Sequence, residues 1–170
     1  MSQHHQAPEP LHGEIIPAGA DADELFGLAT VVLDDGIVLE GPEATRWLAW
    51  ERAREAWLDA KESRSGRKHT RSAYDCAFRQ FFEWANDTAG RTLPPWDVSP
   101  LLAEEWTLHM RNERELAEST INLKLAAMSS FYDYVQTRYV AQGPDGRTLS
   151  LWPADRMNPF STVERARIDP

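Results

Sequence analysis

The stretch Glu118–Tyr139 reads ESTINLKLAAMSSFYDYVQTRY, and the fold follows from how it is read. Ile121, Leu125, Met128, Tyr132, Val135 and Tyr139 recur at steps of four, three, four, three and four. That is the period of one face of an amphipathic helix. Ser119 suits the N-cap, where its hydroxyl accepts an orphan backbone N–H of the first turn. Away from the stripe lie Ser119, Asn122, Ala126 and Ser130, all short. A short-residue back admits a close neighbour, either another helix or the groove of a nucleic acid. Periodicity alone does not decide between these and a core helix with a solvated back.

Upstream of this helix, Ser99-Pro100 starts a shorter one that runs to about Arg114. Ser suits its cap and Pro its first position, and Glu104 and Glu105 lie near the positive end of its dipole. Leu102, Trp106 and Met110 mark its buried stripe. The segment Asn86–Val98 holds Gly90, Pro94 and Pro95 and reads as a loop. A helix over about 70–87, capped by Thr70, carries Tyr74, Phe78, Phe81 and Ala85 on its apolar side, thickened by Phe82. The first helix opens at Gly41-Pro42-Glu43 and runs to about residue 61, with Trp47, Trp50, Arg54, Trp57 and Leu58 along one side. Three Trp on one face favour a core position over an exposed partner surface. Lys61–His69 is a polar loop, basic at its end.

The chain outside these helices is less regular. Thr30–Leu39, TVVLDDGIVL, fits a small hairpin about Asp35-Gly36, which must dock on the helices because two strands alone are marginal in water. Residues 1–24 have little to bury and read as a loose tail. Its His4, His5 and His12 lack the rigid frame of a metal site, and no metal or cofactor is expected. Gln142–Gly146 breaks the chain again, and a short helical turn is expected around Ser161–Arg165. The expected core includes Trp57, Tyr74, Phe78, Phe81, Trp106, Leu125, Met128, Phe131 and Tyr132.

Of 170 residues, 42% are hydrophobic and seven are Trp, enough for one domain with a real core. No apolar run approaches a bilayer span, and the N-terminus lacks the basic and apolar regions of a signal peptide. A single cysteine, Cys76, excludes an internal disulfide and a Cys-based zinc site. Its aromatic neighbours suggest a small buried or half-buried thiol, and a cytoplasmic location is expected. The net charge of −9 opposes nucleic-acid binding until it is localised. Residues 1–62 hold 13 acids and 4 bases, whereas residues 63–170 hold 14 of each. A DNA face therefore has to come from local clustering.

Three stretches carry a resemblance. Thr120–Val135, TINLKLAAMSSFYDYV, resembles the last long helix of the core-binding domain of tyrosine recombinases of the phage-integrase type. Thr70-x-x-x-Tyr74, followed by Phe78, Phe81, Phe82 and Trp84, is similar to an earlier helix of that domain. Asn158-Pro159-Phe160 looks like the Asn-Pro that closes it before the linker to the catalytic domain. The resemblance spans roughly residues 43–160. It implies an all-α fold of four main helices in two crossed pairs (SAM-like). Residues 1–42 would then be an acidic N-terminal extension and 161–170 the start of a linker.

The resemblance also implies that the second and fourth helices meet the major groove of double-stranded DNA. Arg64, Arg67, Lys68 and Arg71 gather at the start of the second helix, where free N–H groups and a partial positive charge favour phosphate. Ser119, Thr120 and Thr70 can reach phosphate oxygens, Lys124 suits a phosphate, and Asn122 can offer a donor–acceptor pair to a base edge. The amino ends near Lys68 and Thr120 are expected side by side. Ser129 stands where the family is often basic, so few phosphates and a shallow salt dependence are expected.

The family's nucleophilic Tyr and its basic catalytic residues lie downstream of the Asn-Pro linker. Here the sequence ends at Pro170, and neither His69 nor His109 begins the family's H-x-x-R pattern. Tyr74, Tyr132, Tyr134 and Tyr139 fall within helices of the non-catalytic domain, so no catalytic residue is expected. The expected partners are DNA, other recombinase protomers or a catalytic domain, and no membrane. Two alternatives stand beside this: a helical protein-interaction module, and a free-standing regulator that occupies recombination sites.

Overall fold

The computed structural model describes residues 30–142 and 148–163. The tail with its three histidines, most of the Gln142–Gly146 break and the end of the Ser161–Arg165 turn lie outside the described residues. The chain forms a hairpin of β1 (Thr30–Val32) and β2 (Val38–Glu40), then helices α1 (Pro42–Ser65), α2 (Lys68–Ala89), α3 (Pro100–Leu108) and α4 (Glu118–Thr137). A π-helical turn, His109–Glu113, continues α3, and a second small hairpin pairs β3 (Ala141–Gln142) with β4 (Thr148–Leu149). This is an all-α, SAM-like arrangement with minor strands.

The helices end where local chemistry stops them. Gly66 adopts φ 64°, and its N–H donates to the Glu62 carbonyl at 2.9 Å, closing α1 in the left-handed turn that suits glycine. Ser65 Oγ accepts the Arg67 N–H at 3.2 Å, so α2 restarts after only two residues. Thr70 is therefore the third residue of α2 and not its cap; extended Arg67 occupies that place. Ser119 likewise lies inside α4 and not at its cap. Glu115, at φ 50°, turns the chain early, and Ala117 takes the cap position without a side-chain hydrogen bond. Ser99 does cap α3, accepting from the Leu102 N–H at 3.2 Å.

Pairing of Val31 with Leu39 sets the register of the first hairpin, and Val31 is buried in the main core. Asp35 accepts from the Ile37 N–H at 3.2 Å and from the Thr92 N–H at 3.1 Å, tying the turn to the loop after α2. The hairpin docks on α1, as two strands require.

The core sits where α4 lies against both arms of the α1–α2 hairpin. Ile121, Leu125, Met128, Tyr132 and Val135 are all fully buried, and Tyr139, just beyond α4, is half-buried. Trp57 is enclosed by Tyr74, Phe78 and Phe131, and its indole donates to Ser130 Oγ at 3.3 Å. Ser130, partly buried, thus serves the tryptophan as acceptor. Trp50 packs among Trp96, Phe131, Tyr132 and Trp152. Of the expected core only Tyr74 is partly exposed.

Residues 158–160 close the body. Asn158 is buried, donating to the Ser129 carbonyl at 2.8 Å and to Asp133 at 2.9 Å, while its carbonyl oxygen accepts the Phe160 N–H at 3.0 Å. Phe160 packs on Phe81 and Trp106. The described part of the Ser161–Arg165 turn is not helical. Asn158 takes up the local hydrogen bonds, and its own carbonyl accepts from Ser161 Oγ at 2.7 Å.

Candidate nucleic-acid interface

Between α2 and α4 runs a surface groove of about 220 Å³. Ala73, Tyr74, Cys76 and Ala77 line it from α2, and Thr120, Leu123, Lys124 and Ala127 from α4. Thr120 lies three to four residues before the adjacent pair Leu123 and Lys124, and Ala127 three to four after it, so the four share one side of the helix, on which Ala127 is itself buried. Small side chains on both helices keep the groove open. Lys124 is its only charged lining residue, and it donates to Gln80 of α2.

Beside the groove, Phe78 of α2 packs on Phe131 of α4, and Gln80 accepts from Lys124. The carboxyl end of α4 lies by the carboxyl half of α1, where Asp133 and Arg138 act on Lys61. Thr120, in the first turn of α4, lines the same groove as Ala73, five residues after Lys68 on α2.

The basic cluster divides in the same way. Arg71 is engaged by Glu55, at 2.7 Å, and by Asp59, with Glu62 at 3.6 Å, all on α1. The hydrogen bond to Asp59 is the largest of the causes that raise its pKa. Arg71 therefore staples α1 to α2. Arg64 and Arg67 are exposed, and neither pairs with a carboxylate among the described residues. The side chain of Lys68 lies outside those described.

Thr70 is half-buried in the first turn of α2, and Ser119 is exposed in that of α4. Asn122 does not line the groove, and its carboxamide oxygen is buried. Glu118, at the amino end of α4, accepts from Arg111 Nε at 2.6 Å. That hydrogen bond lowers the Glu118 pKa and neutralises the one acid of the first turn. Leu123, 59% exposed beside Lys124, is the groove residue the sequence reading passed over. An apolar residue two positions from both Ile121 and Leu125, and so off the buried stripe, was the available signal.

A larger cavity, about 440 Å³, opens between the first hairpin, α1 and α2. Its walls carry Asp34, Glu51, Glu55 and Glu83 against Arg54 and Arg79. Both arginines pair with Asp75, so the acid excess there repels phosphate. The buried Tyr132 hydroxyl donates to the Pro95 carbonyl at 2.6 Å, and burial raises its pKa well above the usual tyrosine value. Burial also raises Tyr134 and Tyr139. A phosphoryl-accepting tyrosine needs access and an easily lost proton, so these phenols are built for packing.

No curated protein and no solved structure matches the chain. The family model of the phage integrase N-terminal SAM-like domain matches residues 54–142. The match takes in all of α2, α3 and α4 and the carboxyl half of α1, which together form the groove, the Arg71 staple and most of the aromatic core. More than half of the sequence falls within it, and the chain belongs to the phage integrase N-terminal SAM-like domain family.

Proposed function

We propose that this chain is a DNA-binding core-binding domain that holds one side of a recombination site for a tyrosine recombinase. Family membership carries the reading. The α2–α4 groove supports it, because phosphate meets a lysine and no carboxylate there, unlike at the acid-walled cavity. Lys124, Ser119 and Thr120 form one contact group on α4. Arg67, Lys68 and Thr70 form another at the start of α2. Arg71 supports this second group by holding α2 against α1. Strand exchange is the work of a catalytic domain, supplied by the rest of the protein or by another protomer. The setting is the cytoplasm. Among the described residues no helix is long and apolar enough to cross a membrane.

A gel shift with mixed-sequence duplex at low salt tests this. Wild type shifts the duplex, and Arg67→Glu/Lys124→Glu weakens the shift while leaving the thermal melt in place. The three cations of these groups, Arg67, Lys68 and Lys124, predict that log K falls by about three per decade of salt. If wild type shifts no duplex at the lowest salt, the protein-interaction reading takes its place. One observation favours that second reading. Leu101 and Leu108 lie seven residues apart on α3 and are 64% and 52% exposed, flanking exposed Glu104 and Glu105 on one face, a mixed apolar and acidic surface suited to a protein partner.

A further inference from the structure

We infer that Leu123 reads the C5-methyl groups of thymine in the major groove, a proposal that rests on the DNA-binding reading above. Leu123 is 59% exposed, whereas Ile121 and Leu125 on the same helix are fully buried. It stands in the α2–α4 groove between Thr120, one turn before it, and Ala127, one turn after it. Lys124 is adjacent, and no carboxylate lines the groove. Such a surface is complementary to a partner that is anionic at its edge and apolar at one point inside. In a DNA major groove that apolar point is the thymine methyl, which aliphatic side chains contact. Hydrogen-bond readout from the next position is curtailed, because the Asn122 oxygen is buried. The small floor of Ala73 and Ala77 lets a base edge come close to Leu123.

Alternating poly(dA-dT) and poly(dA-dU) duplexes differ only in the thymine methyl, and they test this with the whole chain. Wild type is expected to bind poly(dA-dT) about fourfold or more tightly, since burying one methyl group is worth about 0.8 kcal/mol. Leu123→Ala is expected to remove that ratio while keeping the melting temperature, since Leu123 is exposed. Poly(dG-dC) compared with its 5-methylcytosine form places the same methyl on a different base, and the ratio should recur in the same direction. Equal wild-type affinity within both pairs overturns the inference and leaves DNA binding standing. A ratio that persists in Leu123→Ala overturns the assignment to this residue. Failure to bind any of the four duplexes at low salt removes the DNA-binding reading itself, and this inference with it.

Discussion

Trp57 shows what a single side chain holds together. It is fully buried, touches three aromatic rings and spans α1, α2 and α4. Trp57→Ala should cost about 3–5 kcal/mol, read from a urea melt, because the hole lies where three helices meet and cannot collapse. Asn158 is the polar counterpart. Asn158→Asp keeps the acceptor for the Phe160 N–H but loses the donor to Ser129 and puts a carboxylate against Asp133. A loss of about 1–3 kcal/mol is expected at neutral pH, the range for one buried polar group left unmade.

Glu118 gives a pH signature. The Arg111 hydrogen bond holds its folded pKa below the ordinary 4.5. Its contribution is therefore present above pH 4.5 and disappears as pH falls through the folded value. Glu118→Gln should flatten the stability profile in that acid window and leave the profile above it with an unchanged slope. Asn-Pro-Phe and the Trp positions were legible in the sequence because aromatic and buried-amide chemistry has few places to go. The pairings of Arg71 and Glu118 were not, since each joins residues brought together by a turn or a neighbouring helix.

At the scale of elements, the starts of α1 and α3 read well, whereas α2 and α4 start earlier than expected and α1 continues to Ser65, four residues past its expected end and into the expected Lys61–His69 loop. Gly66 and Gly90 end α1 and α2 in left-handed conformations, as glycine permits. The starts moved because the turns before α2 and α4 are tighter than the capping residues suggested. The uncapped start of α4 yields a prediction. Ala117→Ser should stabilise the chain by about 1 kcal/mol in a thermal melt, since it adds the missing side-chain acceptor. Ala117→Asp should stabilise similarly and also weaken any DNA shift, because it sets a negative charge beside Ser119 and Thr120. If Ala117→Asp left the shift unchanged, the amino end of α4 would not face the duplex.

At the scale of the whole molecule, one aromatic core links the first hairpin, all four helices and the segment through Phe160. Unfolding should therefore be a single transition, with tryptophan fluorescence and far-UV circular dichroism superimposing. Separate midpoints would mean that the first hairpin or the closing segment unfolds by itself. Charge is partitioned at this scale too. The acid-walled cavity lies on the α1 side and the acid-free groove between α2 and α4, so a net-acidic chain still offers a surface that phosphate tolerates.

The sequence by itself determined the helical class, the buried stripe of α4, the tryptophan core and the family. These follow from periodicity, residue volume and short motifs, which are local properties. Only the tertiary structure decided that Thr120 of α4 and Ala73 of α2 line one groove, that Arg71 is held by acids of α1, and that Leu123 stands exposed in that groove with no carboxylate among its described lining residues. Those facts depend on which end of one helix meets which part of another, and that is set by two tight turns and the shared core, which spacing along the chain does not encode.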